Sequence, residues 1–326
     1  MKINFLTQNF KGYDALPLKA VHYEDSPFTR AFDDEMRSIA QKEGFEIKSA
    51  KGSCKWLQDN VTYIERDKKP FMLTRDSFAV DSFVANSKGF GIPQDYSVNY
   101  SIGGNTFIGK NSSGERWILV GEDEIDRIGK PAIAKTYDVK IKNIYAIPQQ
   151  NYHLDMFLRP IGYPFVLVDN PSLVKKKLSN MEFDGTNSDL LVLQRDFNEW
   201  EQNRQRDFAS HKKVMQAVKK AGFIPIEIAG VYGGNINFMN AIVNKRPSGA
   251  ISYITNSSVC ESPFISKIEE EFKADLMQKV PYCNRVYFVS GPIEENGENY
   301  LMYQLGTFGG GLHCMTSEEP NFDIWG

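Results

Sequence analysis

Hydrophobic and polar positions change period repeatedly along this chain. Short runs rich in β-branched and aromatic residues, at 2–6, 117–120, 165–168, 223–228 and 286–289, predict strands. Between them the spacing becomes helical. Ser26 and Pro27 offer an N-cap and a first-turn proline, and the helical pattern then runs to Gly44, a natural stop. Ser262 and Pro263 repeat the device before ISKIEEEFKADLMQKV, which Pro281 ends. The longest predicted helix covers 196–220, with Phe197, Trp200, Phe208, Val214 and Val218 as its apolar stripe and Gly222 closing it. Strand and helix signals interleave from end to end, with no Pro-, Gly- or Ser-rich linker. The expected class is therefore α/β, with residues 1–326 as a single domain.

Composition narrows the function. Hydrophobic residues are 41% and charged residues 24%, the balance of an ordinary globular protein. A net charge of −3 supplies no basic field for nucleic acid, and the basic clusters are short. No run approaches the roughly 20 apolar residues of a membrane span, and MKINFLTQNF lacks the apolar core of a secretory signal. A cytoplasmic location is expected, with export by other machinery left open. The cysteines Cys54, Cys260, Cys283 and Cys314 form no CxxC and none has zinc-finger spacing, so free thiols and no metal site are expected.

Three segments could carry chemistry. In GGGLHCMT, glycines lead into His313 and Cys314; a thiolate is a strong nucleophile but needs help to ionise. Read as a strand, this segment sends His313 and Cys314 to opposite faces, which argues against His313 as the partner of Cys314. Alone, it reads first as a buried cysteine in a glycine-rich turn, since most intracellular cysteines are inert packing residues. In NYHLDMFLRPIG, period-two spacing on a strand places His153 and Asp155 on one face. Function and a structural His–Asp pair explain that spacing equally well. In FMLTRDSFAVDSFVANSKG, Asp76 sits at the rim of an alternating run and could bind a cation; a surface ion pair with Arg75 explains it as simply.

Together these segments resemble the guanidine-modifying superfamily of agmatine, arginine and peptidylarginine deiminases and amidinotransferases. His153-Leu154-Asp155 matches its His-x-Asp, and His313-Cys314-Met315-Thr316 its C-terminal His-Cys-x-Thr. The nearest likeness is to the peptidylarginine deiminase catalytic domain, through RWILVGED at Arg116, NFMNAIV with Asn237 and Asn240, and LHCMTSEEP at Leu312. Agmatine deiminases carry Glu before the Gly-Gly step, where this chain has Ile102. The resemblance implies a five-bladed α/β propeller of ββαβ modules with pseudo-fivefold symmetry. Asp76, Gly103-Gly104-Asn105, His153, Gly233-Gly234-Asn235 and Cys314 would each mark one module.

The resemblance also implies a mechanism. Cys314 attacks the guanidinium carbon, His153 is the acid and base, and Asp76 and Asp155 grip the cation. Gly104, Asn105, Asn240 and Gly311 line the substrate site. The substrate is expected to be an arginine-type guanidine, free or within a peptide or protein, converted to a citrulline-type ureido product. No cofactor is implied; calcium, used by animal relatives, has no loop signature here. The alternatives are an amidinotransferase and a catalytically inactive guanidinium-binding protein. Oligomeric state is left open.

Overall fold

In the computed structural model, the described residues are 17–321 without 53, 67–68, 76–77, 112, 151, 181–187, 208–209, 247, 259–262, 281 and 296; for 78–79, 188–192, 203–207, 263–264 and 266 only the backbone is described. The strand expected at 2–6 and the cysteine at 260 lie outside them.

One small unit recurs. β1 (Leu18–Asp25) runs parallel to β2 (Glu46–Lys51) after the helices Pro27–Arg30 and Asp33–Glu43. β3 (Val61–Arg66) and β4 (Lys69–Arg75) form a hairpin, and β5 (Gln94–Ser97) joins parallel to β4 after helix Phe78–Asn86. β6 (Thr106–Lys110), β7 (Arg116–Gly121) and β8 (Ile144–Ile147) repeat that pattern. So do β9 (Leu158–Gly162), β10 (Phe165–Asp169) and β11 (Ile224–Ile228). So also do β12 (Ala241–Lys245), β13 (Ile251–Asn256) and β14 (Cys283–Val289). β15 (Thr316–Pro320) then returns antiparallel to β1, so the first unit is completed by the end of the chain. The result is a mixed α/β fold of five three-stranded sheets, consistent with a five-bladed propeller-like arrangement.

Each unit follows from local chemistry. A tight turn suffices for the antiparallel hairpin, as at Asn111–Gly114, where the Asn111 side chain accepts from Ser113 and Glu115 and Gly114 takes φ +78°. The parallel third strand needs a crossover, and a helix supplies it. Packing joins neighbouring sheets in order. Ile64 and Leu73 pack with Ile118 and Val120; Leu119 with Val166 and Val168; Leu167 with Val243 and Tyr253; Ile242 and Ile254 with Val21 and Tyr23; and Ala50 with Val61 and Met72.

Two sequence expectations change. The alternating run after Arg75 is not strand: β4 ends there and a helix begins at Phe78, burying Val80, Phe83 and Val84 at helical spacing. The single helix expected at 196–220 is two, Ser188–Asp207 and His211–Lys220, with Ser210 extended between them (φ −67°, ψ 149°). The two helices serve different neighbours: Phe197 shares a core cluster with Leu167 and Tyr253 of the fourth and fifth sheets, whereas Val214 and Val218 pack between the third and fourth. Among the described residues, no helix is long and apolar enough to cross a membrane.

Candidate active site

The site residues share one address in the repeating unit, the few residues ahead of the first hairpin strand. Asp59 precedes β3, Gly103–Asn105 precedes β6, and His153 with the short 3-10 turn Leu154–Met156 precedes β9. Asn237 to Asn240 precede β12, and the short helix Leu312–Met315 precedes β15.

His153 and Asp155 are not on a strand as expected. His153 holds the N-cap position of the turn, and Asp155 lies inside it. Asn105 Oδ1 accepts the Leu154 N–H at 3.0 Å and Asn237 Nδ2 donates to the Met156 carbonyl at 2.9 Å, fixing the turn at both ends. His153 therefore meets Asp59, with Nδ1 at 3.7 Å from Oδ1, while fully buried Asp155 faces the last loop. A side chain at Gly104 would come within 2.5 Å of His153 Nδ1, so glycine there leaves room for the imidazole. The Gly104 N–H donates to Asp59 Oδ1 at 3.3 Å.

Cys314 and His313 lie in a helical turn, so they do not diverge as strand neighbours would. Both reach Asp155 Oδ2: His313 Nδ1 at 2.8 Å and Cys314 Sγ at 3.3 Å. Asn240 completes the cluster. Its Nδ2 donates to Asp155 Oδ2 at 2.9 Å and to Cys314 Sγ at 3.0 Å, and its Oδ1 accepts the His313 N–H at 2.9 Å. Asp155 Oδ1 and His153 Nδ1 have no hydrogen-bond partner among the described residues. Gly311 sits where any side chain would strike Asn256, whose Oδ1 accepts the Leu312 N–H at 2.8 Å.

Burial and neighbouring charge set the protonation states. Burial, with the charge of Asp155, raises the Asp59 carboxyl to about 6, against the pull of His153. Burial also works against the Asp155 anion, but its hydrogen bond to His313 and the nearby histidine charges hold it below the ordinary range. Burial and two carboxylates push the Cys314 thiol well above its usual value. His313 is raised: burial and Arg159 oppose its charge, but Asp155 and Glu318 outweigh them. Behind it, Glu318 Oε1 accepts from Arg159 at 2.6 Å and from the Val243 N–H at 3.2 Å; burial opposes that anion, yet Arg159 and His313 bring it to about 2. His313, Arg159 and Glu318 also line a cavity of about 110 Å³ that Cys314 does not border. No group of three or more His, Cys, Asp or Glu among the described residues could hold a metal ion.

Of the residues singled out by sequence, the structure brings together His153, Asp155, Cys314, Asn240, Gly104, Asn105 and Gly311. Asp76 lies outside the described residues. Gly233-Gly234-Asn235 lies in the loop ahead of β12, but Asn240 of that loop is the residue that reaches the cluster, while Asn235 bonds Glu298 at 2.7 Å. The residue missed by sequence is Asp59. Its signal was its place, two residues ahead of the alternating run VTYIER, as Cys314 is two ahead of β15.

No family model and no curated protein matches this sequence. Solved structures do match its fold. The C. jejuni agmatine deiminase aligns with a TM-score of 0.56 and 13% identity, over 94% of this chain and 94% of its own. A peptidyl-arginine deiminase-like protein aligns with 0.57 and 14%, over 94% and 97%. This chain shares its fold with these two proteins. SxtG, an amidinotransferase from Microseira wollei, also aligns, with 0.50 and 9%, over 93% and 95%. At these identities the likeness is one of fold. Within that shared fold, the loops described above carry this chain's own polar groups to one point.

Proposed function

We propose that this chain is a cysteine-dependent guanidine deiminase that hydrolyses an arginine-type guanidinium to a ureido product and ammonia. The observation that carries this reading is the convergence of Cys314 Sγ on Asp155 Oδ2 at 3.3 Å, with His153 and Asp59 on adjoining loops. A guanidinium is a planar cation whose N–H groups match paired carboxylate oxygens. The unpartnered Asp155 Oδ1 and the Asp59 carboxylate supply acceptors for it. Asp59 thus takes the role that the resemblance assigned to Asp76.

The free enzyme keeps Cys314 as a thiol, because two carboxylates and burial oppose the thiolate. A bound guanidinium adds the missing positive charge and favours ionisation. Sulfur then bonds to the guanidinium carbon, and His153 carries the thiol proton to the departing nitrogen, which leaves as ammonia. An amidino-thioether remains. His153 takes one proton from water as its oxygen attacks the same carbon; the C–S bond then breaks and that proton returns to sulfur. The second water proton leaves as the ureido carbonyl forms and is taken up by the released ammonia, so that guanidinium plus water gives ureido product plus ammonium. We read the five sheets as propeller blades that hold these loops around one axis.

Incubation with arginine, agmatine and benzoyl-arginine amide tests the reading, with ureido product and ammonia as readouts. Product from the native enzyme that disappears in Cys314→Ala is expected. Turnover by Cys314→Ala would overturn it. Product only when an amine acceptor is added would make the chain an amidinotransferase, in line with the fold it shares with SxtG.

A further inference from the structure

Exposed aromatic side chains lie close to the loop that carries Cys314. Tyr152 is 43% exposed, Phe308 54% and Phe28 40%. Tyr152 lies over His153, with ring centroids 4.8 Å apart, and a side chain at Gly309 would touch its hydroxyl at 2.7 Å. Phe308 directly precedes the glycines that lead to Cys314. Trp56 packs against the cluster of Cys314, Met156 and Leu305, and Gly310 lies against its ring.

At the centre of this surface is one ammonium group. Lys55 Nζ stands 3.4 Å from the Phe308 ring centroid, 4.7 Å from that of Trp56 and 4.9 Å from that of Phe28. The nitrogen is buried by those rings and makes no hydrogen bond among the described residues. Burial alone shifts it, down to about 8, so most of it stays charged at neutral pH. Aromatic faces attract a cation but do not replace an anion. One indole, that of Trp56, therefore lies between the nucleophile and a positive charge that has no counter-ion among the described residues.

We propose that Lys55 is a specificity-determining residue that reads a free carboxylate on the tail of the substrate. The inference rests on the guanidine reading above and names its substrate class: a guanidine whose far end carries a carboxylate, as in arginine. Agmatine ends in an ammonium, which Lys55 repels. An arginine whose carboxyl is blocked as an amide offers nothing for Lys55 to bind. The roles divide along the substrate: Asp59 and Asp155 hold its cationic head, and Lys55 holds its anionic tail.

Binding of arginine, agmatine and arginine amide is measured by calorimetry on Cys314→Ala, with and without Lys55→Met, so no turnover is required. Arginine should bind Cys314→Ala more tightly than the other two. Lys55→Met should lower the arginine-to-agmatine affinity ratio by about tenfold or more, the scale of one charged hydrogen bond, and Lys55→Arg should restore part of it. In the otherwise native enzyme, Lys55→Met should raise KM for arginine more than it lowers kcat. A ratio that Lys55→Met leaves unchanged, while guanidines still bind, overturns the role of Lys55 and leaves the guanidine reading standing. Failure of every guanidine to bind Cys314→Ala overturns both.

Discussion

Two histidine–carboxylate pairs lie at the candidate site, His153–Asp59 and His313–Asp155, and they are built differently. His153 and Asp59 meet loosely at 3.7 Å, both side chains part-exposed. His313 and Asp155 meet at 2.8 Å, fully buried, and the pair continues through Glu318 to Arg159. A buried ion pair without its partner is costly, so the inner chain of alternating charge is held in a single arrangement. The outer pair has slack and water access, which proton transfer to and from a substrate requires. On the proposed mechanism, the inner pair holds Asp155 as an anion under Cys314 while the outer one handles the moving protons. Similar residue types thus take different roles because burial differs.

The largest effect that tests this division is on rate. His153→Asn should lower turnover by roughly 10²–10⁴-fold, the scale of general acid–base catalysis, with unfolding stability changed by less than about 1 kcal/mol. Turnover close to native would remove His153 from the proton path. Next comes stability. His313→Asn should cost about 1–3 kcal/mol in denaturant unfolding, because Asp155 loses a buried charged partner. A stability loss no greater than that of His153→Asn would erase the distinction between the pairs.

The smallest effect is in pH dependence, where the pairs should fail on opposite sides. The Asp59 carboxyl, raised to about 6, must be ionised to bind a guanidinium. kcat/KM should therefore fall about tenfold per pH unit below that value, and Asp59→Asn should lose this limb along with most of its activity. The folded-state value of His313 is raised, so its contribution to stability is complete below about 6.5 and is lost as pH rises through the folded value. His313→Asn should flatten the alkaline fall in stability. An acid limb that persists in Asp59→Asn would assign it to another group.

Much of the fold was legible in the residues. The runs at 117–120, 165–168 and 286–289 lie in β7, β10 and β14, and Gly44 ends its helix in the left-handed conformation at φ +78°. These are local properties: side-chain shape, period and backbone freedom act within a few residues. The segment after Arg75 misled because an alternating pattern and a helical one overlap over so short a run; the need for a crossover between β4 and β5 decided it.

The site divides in the same way. Sequence alone determined the reactive types and the segments that carry them, with Cys314, His153 and Asp155 each set among apolar or glycine neighbours. The tertiary structure decided who meets whom. It turned His153 away from Asp155 and toward Asp59, placed His313 on Asp155, and used Asn240 to tie Asp155, Cys314 and the His313 backbone into one cluster. Those contacts join residues 73 to 158 positions apart, as with Asn240 and His313 or Asp155 and His313. Hydrogen bonds and burial across such distances depend on how the sheets pack, and no local pattern in the chain encodes them.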